Sequence, residues 1–305
     1  MDITKQNFEE ILGGKLSSDA LDFFHAHDFK YELATKEETD SAVVRIVDFL
    51  LSQKEESGPE YRRLWETGWS ENLELYLKSG VLTDLIPKFV RRNELVRFNG
   101  QFIRPNDSNF ETNFVTILRD TMFRKYLKSS SEIWEFGCGT GLNLVHLSRI
   151  FPDKKCFGCD WAKPSVDILN QINSNLGLRI EGFQFDIFQP DAKIIAAAAD
   201  ESALFTIGTM EQIGRDYLPF LNEILNSKFK TVIHIETNYE LYDEKNLLDN
   251  LAMKYIEKRN WLQGYFAKLR ELEIARKISI LDERKTFGSF FHDGYSVVVW
   301  ENLNV

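Results

Sequence analysis

Hydrophobic and polar positions along the first ninety residues recur at helical spacing. Val43, Val44, Ile46, Val47, Leu50 and Leu51 make an apolar face bordered by charges, with N-cap oxygens offered by Thr39, Asp40 and Ser41. Further helical segments are predicted from Tyr61 to Lys78, after Pro59, and from Leu82 to Val90, with Ser79-Gly80 as the break between them. This part of the chain reads as all-helical.

The period changes in ELVRFNGQFIRP, where Asn99-Gly100 between two short runs predicts a hairpin with a two-residue turn. Pairing outward from that turn places Val96, Phe98, Gln101 and Ile103 on one face and Leu95, Arg97, Phe102 and Arg104 on the other. Arg97 and Arg104, with Arg91 and Arg92 nearby, are candidates for binding an anionic group, although such a charged face is also what a solvated surface looks like.

From Ser131 onward, strands and helices alternate, the pattern of a doubly wound, mostly parallel α/β sheet. The predicted strands are Ile133 to Gly137, Cys156 to Trp161, Gly182 to Ile187, Ala203 to Gly208 and Thr231 to Glu236. Lys277 to Asp282 and Tyr295 to Trp300 are expected to close the chain as an antiparallel hairpin. Between the fifth and sixth strands, Leu248, Leu251, Tyr255, Leu262, Tyr265, Leu269 and Leu272 predict a long helical stretch from Lys245 to Arg276. Two regions are expected: a mainly helical cap over residues 1–128 with the hairpin near 94–105, and an α/β domain over 129–305 with a helical insertion near 240–276.

Composition narrows the partners. Of 305 residues, 43% are hydrophobic and 28% charged, enough to bury a substantial core, and the formal net charge is −10. That charge argues against nonspecific association with nucleic acid or an anionic membrane. No apolar run approaches the roughly 20 residues needed to span a bilayer. The N-terminus, MDITKQNFEEILGG, has acids where a signal peptide needs a basic start. A soluble cytoplasmic protein is expected. Of the three cysteines, Cys138, Cys156 and Cys159, the last two form a C-x-x-C pair, but with no second pair and both within a predicted buried strand these two read as core packing.

The chemistry centres on Glu135-Phe-Gly137-Cys-Gly139-Thr-Gly141, which follows a strand and opens the helix LNLVHLSRIF. Alternate glycines allow a sharp turn and close approach of a ligand to the backbone. The next strand ends in Asp160, about 20 residues on, where a carboxylate can accept hydrogen bonds from both hydroxyls of a ribose. These residues resemble the seven-stranded class I S-adenosylmethionine-dependent methyltransferases, over the chain from about Ser131 to its end. The resemblance implies that Glu135, Gly137, Gly139 and Gly141 approach the amino acid portion of the cofactor and that Asp160 holds its ribose. It implies that Asp186, after the third strand, lies beside the adenine, and that Gly208, Thr209 and Glu211, in the loop after the fourth, border the sulfonium and the acceptor. Trp161 is placed to pack against adenine.

The loop GTMEQIG lacks the D/N-P-P-Y/F signature of many methyltransferases acting on nucleobases or glutamine, and it lacks the Pro-Cys nucleophile of cytosine C5 enzymes. A small-molecule acceptor is therefore expected, with oxygen favoured over nitrogen. Transfer to a hydroxyl needs a base. His234 and Glu236 near the end of the fifth strand, His292 before the last strand, and Glu211 are the candidates, each of which could equally be a packing residue. The same four side chains have ligand chemistry for a divalent ion, but the acidic signature of metal-dependent O-methyltransferases is missing and no metal is assigned. Tyr239, Tyr242, Trp261 and Tyr265 are candidates to line the acceptor pocket under the helical insertion. His25, His27 and His146 are read as structural or exposed. The expected function is O-methylation of a hydroxyl on a sugar, sugar phosphate or other metabolite, with S-adenosylhomocysteine as product. N-methylation of an amine or amino sugar, and a noncatalytic S-adenosylmethionine-binding module, are the alternatives.

Overall fold

The computed structural model describes residues 1–53, 61–87 and 94–305. Pro59, the predicted helix end at Val90, and Arg91 and Arg92 lie outside them.

The chain opens with helices α1 (Lys5–Leu12) and α2 (Ser18–Ala26), strand β1 (Tyr31–Leu33), then α3 (Lys36–Leu51) and α4 (Arg62–Ser79). Strands β2 (Val96–Phe98) and β3 (Gln101–Pro105) form the predicted hairpin, with Val96 opposite Ile103 and Phe98 opposite Gln101. Asn99 and Gly100 both have positive φ, 49° and 73°, as a two-residue turn that follows the strand twist requires. The N-terminal region is not all-helical. The free edge of β3 takes up β1, pairing Tyr31 with Pro105 and Leu33 with Ile103, to give a sheet ordered β1-β3-β2. Three residues carry too short a pattern to announce a strand, and the open hairpin edge supplies the missing cause.

Helix α3 starts earlier than its candidate caps suggested. Thr35 accepts from the Glu38 amide and Glu38 returns the contact to the Thr35 amide, so Thr39, Asp40 and Ser41 lie inside the helix. Its buried side chains are Ala42 and Ile46, while Val44 and Leu51 are exposed.

After α5 (Phe110–Tyr126), the α/β region runs β4 (Glu132–Phe136), α6 (Leu142–Ile150), β5 (Lys155–Asp160), α7 (Lys163–Leu176), β6 (Ile180–Gln184), α8 (Ala192–Ala196), β7 (Ser202–Ile207), α9 (Leu218–Leu225) and β8 (Phe229–Glu236). It ends with α10 (Leu247–Lys258), α11 (Tyr265–Ile274), β9 (Ile278–Arg284) and β10 (Ser296–Asn302). The seven strands are ordered β6-β5-β4-β7-β8-β10-β9, parallel except for β10, which runs antiparallel to both its neighbours. The predicted long helical stretch is two helices. Asn260 and Gly264, with φ of 50° and 82°, turn the chain between α10 and α11. β6 ends two residues before Asp186, because Gln184 pairs with Asp160, the last residue of β5, and the chain then leaves the sheet.

Alternation sorts the strands onto two buried faces. Ile133, Phe205, Ile233 and Val299 join Phe8, Phe114 and Phe123 of the N-terminal helices in one core, and Trp134, Phe136, Val232 and Trp300 join Phe220, Phe266 and Leu269 in the other. All three cysteines are buried and unpaired. No described helix is long and apolar enough to cross a membrane.

Candidate functional site

Three left-handed glycines carry the chain from β4 into α6: Gly137, Gly139 and Gly141 have φ of 75°, 51° and 75°. A Cβ on Gly137 would stand 2.2 Å from the Thr209 side chain, and one on Gly141 would stand 2.3 Å from Leu169, so both the conformation and the space demand glycine. The turn is tied to β5 by Gly137 and Cys138 amides that donate to the Cys159 carbonyl at 2.7 and 3.1 Å. Asp160 lies directly beneath. Its Oδ2 accepts from the Gly139 amide and its Oδ1 from the Ala162 amide, both at 2.9 Å. Burial pushes its carboxyl up to about 6 against the pull of these amides.

Glu135 is fully buried one residue before the end of β4. Its Oε1 accepts from Asn143 Nδ2 at 2.6 Å, whereas its Oε2 has no hydrogen-bond partner. Burial pushes this carboxyl up to about 8, with Arg119 pulling the other way. Arg119, on α5, reaches the same spot through Asn143 Oδ1, to which its Nη1 donates at 2.5 Å.

The loop after β7 interlocks with this turn. Thr209 donates from Oγ1 to the Gly137 carbonyl at 3.3 Å, and its amide donates to Glu236 Oε1 at 3.0 Å. The Glu211 amide donates to Glu236 Oε2 at 3.4 Å. Burial pushes Glu236 up to about 7, and burial followed by the Glu236 charge raises Glu211 well above the usual carboxylate range. Four carboxyl groups thus gather where the strands end, each held above its ordinary value.

His292 approaches this edge from the loop before β10. Its ring is stacked on Tyr255 at 5.5 Å and meets Trp261 edge-on at 4.9 Å. Its Nδ1 lies 3.1 Å from Thr237 Oγ1, which also lies 3.3 Å from the Asp293 carbonyl. With the Thr237 hydroxyl proton on the Asp293 carbonyl, its oxygen accepts from His292 Nδ1–H, and in that tautomer the free lone pair is on Nε2. Burial, with Arg97 and Arg259 behind it, lowers this ring to about 3, so it is neutral at physiological pH.

The other candidates are placed elsewhere. His234 is a correction. It points into the layer under α11, where Thr206 Oγ1 holds Nδ1 and Tyr265 Oη holds Nε2, both at 2.9 Å, leaving neither nitrogen for a ligand. Tyr265, its partner, is equally buried and lines no acceptor pocket. Tyr239 donates to Glu257 at 2.7 Å. Arg97 and Arg104 are not a binding pair. Arg97 is buried between Asp249 at 3.1 Å and Asp293 at 3.3 Å, and Arg104 is an outward-facing group paired with Glu32 and Glu38. The hairpin register was predicted correctly, but partners for the guanidinium groups come from elements distant in sequence. Asp186 and Trp161 lie beyond the ends of β6 and β5, and Arg62 of α4 contacts both. Among the described residues, no group of three or more His, Cys, Asp or Glu side chains is arranged to hold a metal ion.

Sequence reasoning missed Arg62, Arg119, Asn143, Thr237 and Trp69, which lies over the glycine turn, 3.1 Å from where a Cβ on Gly139 would stand. Asn143 had a signal, since a polar residue in the first turn of the helix after a glycine loop faces back toward the preceding strand. Thr237 directly follows the candidate Glu236, and the others come from segments whose approach only the fold determines.

No protein-family model and no curated protein sequence matches the chain. Solved structures of similar fold include an S-adenosylmethionine-dependent methyltransferase from Anabaena variabilis, at 15% identity and a TM-score of 0.47, covering 83% of this chain and 99% of that one. A geranyl diphosphate methyltransferase with geranyl diphosphate and sinefungin is similar at 11% identity and 0.46, covering 80% and 97%. An O-methyltransferase family protein from Burkholderia thailandensis is similar at 11% identity and 0.42, covering 65% and 60%. This chain's own strand order, with one antiparallel strand in an otherwise parallel seven-stranded sheet, is the class I methyltransferase architecture.

Proposed function

We propose that this protein is an S-adenosylmethionine-dependent methyltransferase that methylates a hydroxyl group of a small molecule. The observation that carries the reading is the glycine turn seated on Asp160, beside a fully buried Glu135 with one unpartnered oxygen. That oxygen suits an ammonium group, and the cluster of raised carboxyls suits a ligand that brings positive charge, as a sulfonium and an ammonium do. Ribose hydroxyls would take over the lone pairs of Asp160, and adenine would reach Asp186 and Trp161. When bound, the cofactor supplies the electrophilic methyl group.

The chain's own part in the chemistry is to position the acceptor and take its proton. His292 fits that task in the tautomer that donates from Nδ1 to Thr237 and leaves Nε2 as acceptor. Glu211 and Glu236 border the place where the methyl group would lie. His234 acts at a distance from the site, as packing. A second reading has a specific observation behind it: the Glu211–Glu236 pair is suited to an amine, which would make the product an N-methyl compound.

Calorimetry with S-adenosylmethionine and S-adenosylhomocysteine tests the cofactor, micromolar binding being expected and no binding of either refuting it. An acceptor screen then follows, with product analysis to place the methyl group on oxygen or nitrogen. On an accepted hydroxyl substrate, His292→Gln should lower kcat about 100-fold or more and leave S-adenosylhomocysteine affinity unchanged. An undiminished kcat would remove His292 as the base. Cofactor binding without turnover on any acceptor would favour a noncatalytic module.

A further inference from the structure

Helix α4 lies across the proposed cofactor edge, and its contacts there fall on the groups that would receive a nucleoside. Arg62 and Trp69 are seven residues apart, close to two helical turns, so they share a face and lie about 10 Å apart along the axis. Trp69 covers the glycine turn: a Cβ on Gly139 would stand 3.1 Å from its Cζ2. Arg62 is ion-paired with Asp186 Oδ2, and its guanidinium carbon stands 5.0 Å from the centroid of the Trp161 ring. Asp186 Oδ1 accepts from the Phe188 amide at 3.0 Å, and Oδ2, which lacks that bond, is held by Arg62.

A guanidinium and an adenine present the same two features: a flat delocalised face that stacks on an indole and N–H donors at its edge for a carboxylate. We propose that Arg62 is an internal competitor for the adenine subsite, holding Asp186 and covering Trp161 until the cofactor displaces it. This rests on the S-adenosylmethionine site proposed above. Both partners are partly exposed, with side-chain exposures of 42% for Arg62 and 26% for Asp186, so the pair is weak enough for a ligand to break and open to screening by salt.

The probe is S-adenosylhomocysteine, which has no net charge, titrated into wild type, Arg62→Gln and Arg62→Lys at low and high salt. Arg62→Gln should bind about fivefold more tightly than wild type at low salt. Added salt should tighten binding to wild type and to Arg62→Lys, which keeps the charge, and leave Arg62→Gln unchanged. Equal or weaker binding by Arg62→Gln would overturn the competition and make Arg62 an ordinary part of the cofactor pocket. Failure of wild type and both variants to bind would instead overturn the cofactor site itself, and the competition with it.

Discussion

At the junction of the β2–β3 hairpin with the loop before β10, Arg97 lies between Asp249 and Asp293, and Lys285 reaches the same two carboxylates at 2.7 and 3.4 Å. At the glycine edge, Glu135, Asp160, Glu211 and Glu236 converge, and among the described residues none of the four forms an ion pair. Both regions bury charge-bearing side chains, but only the first closes ion pairs around them, two cations against two anions, whereas Arg119 reaches Glu135 only through Asn143. The difference separates a cluster that fastens elements together from one that, on the function proposed above, a charged ligand would complete. Residue type alone does not distinguish them, and the arginine that looked available in the sequence belongs to the fastening cluster.

The comparison breaks most readily at Arg97. Arg97→Met should cost about 3–5 kcal/mol in urea unfolding, since two buried carboxylates would be left to Lys285 alone. A loss below about 1 kcal/mol would show that the cluster is not a fastening. At the other region, Asp160→Ala should weaken S-adenosylhomocysteine binding about 100-fold by calorimetry and cost about 1–3 kcal/mol of stability through the two amides it leaves unpaired. A stability loss of that size with unchanged binding would make Asp160 a structural residue only.

Titration sharpens the contrast further. Burial raises Glu135 from 4.5 to about 8, so between those values the folded protein binds more protons than the unfolded chain and stability falls as pH rises. The neutral histidines act oppositely. His146, His234 and His292 are lowered to about 4, 3 and 3, so they cost stability as pH falls below 6.5 and contribute no slope above it. Between pH 6.5 and 8, unfolding free energy should therefore decline in wild type, and Glu135→Gln should flatten that decline with a gain of about 1 kcal/mol at pH 8. An unchanged slope would contradict the unbalanced carboxyl. The smallest effect belongs to Arg104, outward-facing and half exposed: Arg104→Ala should leave both stability and the acceptor KM unaltered.

The α/β half was legible because its signals are local. Glycines at alternate positions, Asp160 at a strand end and apolar runs of five to eight residues each specify their own neighbourhood. Asn99-Gly100 specified its hairpin in the same way. What was illegible depends on meetings between distant segments. β1 needed the open edge of β3, and His234 could be placed only once α11 had covered β8 and brought Tyr265 to its ring. The partners of Arg97 lie 152 and 196 residues further along the chain, which no local pattern reports.

β10 enters the sheet between two strands that precede it, and this has a consequence for biosynthesis. Glu236 at the end of β8 pairs with Ser296, sixty residues later. At about 5–20 residues per second, a ribosome takes roughly 3–12 s to make that stretch, during which β8 has no partner along one side. The waiting edge is the apolar run Thr231-Val-Ile-His-Ile-Glu236, able to pair with the same strand of a neighbouring nascent chain. Slow translation between β8 and β10 would lengthen that interval, so the yield of soluble protein should respond to codon choice and chaperone supply there more than in the early helices.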